Sequence, residues 1–99
     1  MVSETPLAGF DRSVLMHHTM EDAALAGEVL ALFEAQLKRL EELDWAGLDL
    51  KFEMHTLRGA AAAVGALQLE ALASQWQEAG LRLPKAFKKA AQTFRKAAS

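Results

Sequence analysis

Apolar residues return every three or four positions along nearly the whole chain. They run as Ala26, Val29, Phe33, Leu37 and Leu40, then as Leu50, Met54, Leu57, Ala61 and Val64. The period continues in Leu69, Leu72, Ala73 and Trp76, and again in Phe87, Ala90, Ala91, Phe94 and Ala98. This spacing lays an apolar stripe along one side of an α-helix, and no stretch alternates with the two-residue period of a strand. Ala, Leu, Glu, Lys and Gln, all good helix formers, fill the positions between. Stripes of this kind are buried only by laying helix against helix. The expected elements are a long helix over 20–43, a second over 48–64, a third over 66–79 and a fourth opening near Pro84. A short helical segment over 11–17 precedes them. Thr19 and Asp22 make a capping-box-like start to the long helix. Asp44-Trp45-Ala46-Gly47 and Gly65 break the pattern, Gly80 caps the third helix, and Pro84 suits a first turn. Short connections make neighbours antiparallel, so the expectation is an all-α, antiparallel up-down four-helix bundle with a short N-terminal helical segment. It forms a single domain over 1–99, with its core at about 11–98.

Size and composition narrow the chemistry. A chain of 99 residues builds one modest core and leaves little room for an enclosed active-site cavity. No stretch reaches the ~18 uninterrupted apolar residues of a membrane span. The first ten residues lack a basic region followed by an apolar run, so they do not read as a secretory signal. There is no cysteine, hence no disulfide and no thiolate metal site. A cytoplasmic, soluble protein is expected. Charge is uneven: thirteen acids and five bases over 1–78, then six bases and no acid over 79–99. Such a tail either binds an anionic partner or lies against the acidic part of its own chain.

The residues that carry chemistry are His55-Thr56-Leu57-Arg58-Gly59. At about 100° per residue, His55 falls roughly 140° from the buried stripe of the second helix, so its imidazole faces solvent. Leu48, Lys51, Phe52, Arg58, Gly59, Ala62 and Ala66 share that outward quadrant. An exposed helix face normally carries Glu, Lys and Gln. This one carries two large apolar groups, two cations and three very small residues, the composition of a docking patch. Lys51 and Arg58 lie one turn either side of the histidine, where they would meet phosphoryl oxygens with charge-assisted hydrogen bonds. Gly59 costs its helix about 1 kcal/mol relative to alanine. A helix that spends alanine freely elsewhere has no propensity reason for that glycine. The chain has neither a Gly-rich phosphate loop nor an Asp cluster for magnesium, so donor and metal must come from a partner.

The run from His55 to Ala66, with glycines at 59 and 65, resembles the signature of histidine-containing phosphotransfer (HPt) domains. The resemblance covers most of the chain, at the level of pattern outside the motif. It implies a four-helix bundle that acts as a phosphocarrier in a two-component phosphorelay. In such a relay the histidine accepts a phosphoryl group from a receiver-domain aspartate or a kinase and passes it to another receiver. His55 would be the phosphoacceptor. Arg58 stands where the family has a lysine beside the phosphoryl group, and Gly59 where a glycine lets the receiver approach. Gln77 stands where some members have a glutamine that orients the imidazole. Leu48, Lys51, Phe52, Gly59, Ala62 and Ala66 would form the partner-binding surface. The implied partners are response-regulator receiver domains and a sensor or hybrid histidine kinase. No cofactor is expected on this chain, since magnesium would sit on the receiver, and no catalysis of its own beyond presenting the imidazole.

Two alternatives stand beside this reading: an HPt-like bundle that binds partners without being phosphorylated, and a small nucleic-acid-binding bundle using the fourth helix. For the second, Lys85, Lys88, Lys89, Arg95 and Lys96 form a basic face. No aromatic is interleaved there for stacking, which favours a solvated or internally paired surface. His17 and His18 diverge by about 100° and cannot share a metal without a further ligand.

Overall fold

The computed structural model describes residues 9–42, 45, 49–79 and 82–98, and no strand occurs among them. Six helices follow in order: α1 (Arg12–His18), α2 (Ala23–Glu42), α3 (Leu50–Val64), α4 (Leu67–Ser74), α5 (Trp76–Ala79) and α6 (Leu83–Ala98). The expected helices are therefore present, with the third divided in two. The expected break over 44–47 is described only at Trp45, and the Gly80 cap and Leu48 fall outside the described residues.

The ends of these helices follow side-chain chemistry. Asp11 caps α1 by accepting from the Ser13 backbone N–H (3.0 Å) and hydroxyl (2.6 Å). Those bonds favour the ionised form and hold the Asp11 carboxyl below its ordinary pKa. Asp22 does the same for α2, accepting from Leu25 N–H at 3.1 Å. Thr19 is not the cap expected from the sequence. Its buried hydroxyl turns back to donate to the Leu15 carbonyl at 2.9 Å, closing α1 instead of opening α2. Between the two helices Met20 and Glu21 take positive φ values of 55° and 60°, a left-handed pair that reverses the chain.

Packing joins the elements in a closed circuit: α2 touches α3, α3 touches α4, α4 touches α6 and α6 returns to α2, with α1 laid on α3 and α2. One apolar core runs through it, formed by Leu15, Phe33, Leu37, Leu40, Met54, Leu57, Leu69, Leu83 and Phe87 among others. Every stripe position predicted from periodicity is buried or packed against this core. Phe94 takes Phe33 and Phe10 edge-on, with ring centroids at 5.1 and 5.7 Å. Such pairs add about 0.5–1.5 kcal/mol each beyond the area they bury.

Ion pairs tie the outer turns together. Arg95 donates from Nε to Glu34 (2.7 Å) and from both terminal nitrogens to Glu41 (2.9 and 2.8 Å). The basic last helix thus leans on the acidic α2. Hydrogen bonds from Arg95 pull the Glu41 carboxyl below its usual pKa, and the same bonds raise that of Arg95. Glu53, buried on the side of α3 toward α2, is met by Arg39 at 2.6 Å. Among the described residues no helix is long and apolar enough to cross a membrane.

Candidate functional site

The helix that carries His55 is fixed at both ends. Asp49 caps its start, accepting from Phe52 N–H at 3.2 Å. At its finish Gly65 adopts φ +82°, and the N–H groups of Gly65 and Ala66 both return to the Ala61 carbonyl (3.0 and 2.9 Å). The turn is pinned from outside as well, because Asp11 N–H donates to the Gly65 carbonyl at 2.8 Å. A side chain at Gly65 would overlap the Asp11 carbonyl. The second glycine of the motif is therefore a structural requirement of the α3–α4 hairpin.

The outward face of α3 then presents His55, Lys51, Phe52, Arg58 and Gly59, all exposed, with Ala62 half-buried. Phe52 keeps 61% of its surface in water. His55 lies where three shallow depressions meet. One, of about 260 Å³, is shared with Arg58, Gly59, Ala62 and Glu70. A second, of about 250 Å³, adds Lys51, Ala73, Ser74 and Trp76. The third, of about 280 Å³, adds Asp49 and Phe52. A Cβ built on Gly59 meets nothing within 4 Å. Its missing side chain serves no internal packing; it leaves open ground beside the imidazole.

Electrostatics separate Arg58 from the two arginines that tie the helices together. Arg39 and Arg95 are each held by carboxylates, whereas Arg58 makes no ion pair with any described residue. The imidazole of His55 likewise has no hydrogen-bond partner among the described residues. A free guanidinium one turn from a free imidazole can receive an incoming oxyanion without breaking a prior contact.

Comparison with family models, curated proteins and solved structures returned no match. The site stands on its own geometry.

Two expectations need correction or restatement. Ala66 is fully buried and begins α4, so it contributes no docking surface. The left-handed Gly65 ends the helical register one residue earlier, and the wheel of α3 no longer applies at 66. Gln77 lies exposed on α5, and no hydrogen bond joins it to His55. The walls opposite the imidazole are supplied by Glu70, Ser74 and Trp76.

Glu70 is the site residue that sequence reasoning missed. The hairpin folds about Gly65, so positions roughly equidistant from it come together, which sets Glu70 across from Gly59 and Ala62. Leu32, 73% exposed on α2, lines a separate small apolar groove of about 190 Å³ with Ala60 and Ala63 of α3.

The remaining candidates settle simply. His17 and His18 are exposed, their rings 5.6 Å apart, and His18 Nδ1 donates to the Val14 carbonyl at 3.0 Å. Among the described residues no three His, Asp or Glu side chains converge on a common metal position. On α6, Lys85, Lys88, Lys89 and Lys96 are exposed while Arg95 is engaged by Glu34 and Glu41, and Phe87 and Phe94 point into the core.

Proposed function

We propose that this chain is a cytoplasmic HPt-like phosphocarrier, a four-helix bundle formed by α2, α3, α4–α5 and α6, phosphorylated on His55. The carrying observation is the pairing of an exposed imidazole with Arg58, neither engaged by any described residue, beside open ground at Gly59. A phosphoryl group is transferred through an in-line arrangement of attacking and leaving atoms. That geometry needs space on the far side of the phosphorus, and a receiver domain needs flat ground to bring its aspartate there. In the forward step the lone pair of one His55 ring nitrogen forms the N–P bond as the P–O bond to the donor aspartate breaks. The aspartate leaves as its carboxylate, and the remaining ring N–H proton passes to solvent. In the return step a second receiver's carboxylate attacks phosphorus, and His55 departs with the electron pair and regains a proton. Arg58 and Lys51 offset the phosphoryl charge on either side. Magnesium would be held by the receiver. Phe52, which borders His55, offers apolar contact area for docking.

Incubation with a receiver phosphorylated on its aspartate tests this. Wild-type protein should gain an acid-labile, base-stable phosphate, and His55→Gln should gain none. Label retained by His55→Gln sinks the proposal. An unlabelled wild type that still binds the receiver favours the interaction module. Salt-steep DNA binding lost in Lys88→Glu/Lys89→Glu favours the nucleic-acid reading.

A further inference from the structure

Among the described residues two carboxylates border the His55 depressions: Asp49 is spent on the α3 cap, accepting from Phe52 N–H, whereas Glu70 brings its negative charge to the groove shared with Arg58. It is half-buried on α4 and lines one groove with His55, Arg58, Gly59 and Ala62. Its carboxylate does not neutralise Arg58, since the two form no ion pair. Nor is it needed to cap α4, whose N-cap residue, Ala66, has no side-chain bond and whose Glu70 N–H returns to the Ala66 carbonyl at 2.9 Å. The other acids of the packed face, Glu34, Glu41 and Glu53, are each spent on an arginine. Glu70 is left facing the histidine groove.

We propose that Glu70 sets the phosphoryl-transfer potential of His55. Its carboxylate repels the phosphoryl dianion, raises the free energy of the phosphorylated state and favours onward transfer, while Arg58 keeps that state accessible. The inference rests on His55 being phosphorylated, and it adds the element that fixes how tightly the group is kept. The Glu70 carboxylate and a phosphoryl group on His55, which line one groove, are taken as about 8 Å apart, one Debye length at physiological salt. At that separation, with a dielectric of about 40–80 and a Debye length of about 8 Å, one carboxylate shifts the phosphorylation equilibrium of a dianion by roughly two- to fourfold. Reversing the charge doubles the exponent, giving roughly four- to sixteenfold. In 1 M salt, with a Debye length of about 3 Å, the single-charge effect falls to about 1.3-fold or less.

The test uses a small donor, so that docking plays no part. Potassium phosphoramidate is equilibrated with the protein in excess ammonia. The His55 lone pair forms the N–P bond as the donor's P–N bond breaks; ammonia leaves with the electron pair, and the ring N–H proton goes to solvent. Phosphorus NMR gives the equilibrium constant for wild type, Glu70→Gln and Glu70→Lys, with His55→Gln as the control and thermal melts confirming that each variant is folded. The expected ratios to wild type are two- to fourfold for Glu70→Gln and about the square of that for Glu70→Lys, both collapsing in 1 M KCl. Equal constants in wild type and Glu70→Gln overturn the role of Glu70 while leaving the phosphocarrier intact. A ratio that persists in 1 M KCl overturns the electrostatic account, because it marks a contact effect. Absence of label on wild-type His55 overturns both.

Discussion

Replacement of Gly59 should make the protein more stable and slow the proposed phosphoryl transfer. The position is in the interior of α3, exposed, and a Cβ placed there meets no atom within 4 Å. With neither clash nor new packing, only helix propensity acts, and alanine exceeds glycine by about 0.8–1 kcal/mol. For a domain of this size that raises the melting temperature by about 4–8 °C. Glutamine has nearly alanine's propensity, so Gly59→Gln should gain almost as much stability while filling the ground beside His55. Transfer from a phosphorylated receiver should slow several-fold in Gly59→Ala. In Gly59→Gln it should slow by tenfold or more, since about 1.4 kcal/mol of lost docking is a factor of ten. Urea unfolding followed by circular dichroism reads the first quantity, and single-turnover transfer reads the second. The reasoning is refuted if Gly59→Ala destabilises the fold, which would mean that the backbone needs glycine there. It is equally refuted if Gly59→Gln transfers at the wild-type rate, which would mean that the clearance has no use.

Gly65 should respond in the opposite sense. Its φ of +82° and the Asp11 carbonyl beside it make Gly65→Ala costly, by at least about 2 kcal/mol in urea unfolding; a loss under about 0.5 kcal/mol would contradict the pinned turn. Arg58→Ala removes a charge with no described partner, so stability should stay within about 0.5 kcal/mol while transfer slows; an unchanged rate removes its assigned role. Arg95→Ala should cost about 1 kcal/mol at neutral pH, from a bidentate but partly exposed pair. The folded-state pKa of Glu41 is depressed from 4.5, so the contribution is full above about pH 4.5 and is lost as pH falls through the lower folded value. Melts at pH 7 and at successively lower pH should show the variant's deficit shrinking with acid; a deficit that grows with acid would contradict this sign.

Periodicity carried the sequence reading far because core burial and helical spacing agree at nearly every stripe position, from Ala26 to Ala98. What escaped it was decided by groups outside each helix. The third helix divides because Gln75 closes α4, its N–H shared between the Ala71 and Leu72 carbonyls, and propensity contains no trace of that. Thr19 turned backward because Met20 and Glu21 reverse the chain immediately after it, leaving Asp22 to cap α2. Glu53 reads as a surface acid in isolation, and its burial depends on Arg39 arriving from another helix. At the site, the exposure of His55, Lys51, Phe52, Arg58 and Gly59 was legible because all five lie within one uninterrupted helix. Ala66 was misplaced because the wheel was carried across a left-handed residue. Glu70 was invisible for a related reason: it joins the histidine through the register of a hairpin, which a single-helix projection does not contain.

The central claim is that a phosphoryl group enters and leaves through His55. It is tested most directly by loading the protein from one phosphorylated receiver, mapping the phosphate by tandem mass spectrometry, and adding a second, unphosphorylated receiver. The account predicts a single phosphate on His55 that disappears as acyl phosphate appears on the second receiver. A phosphate mapped to another residue, or one on His55 that no receiver can remove, would contradict it.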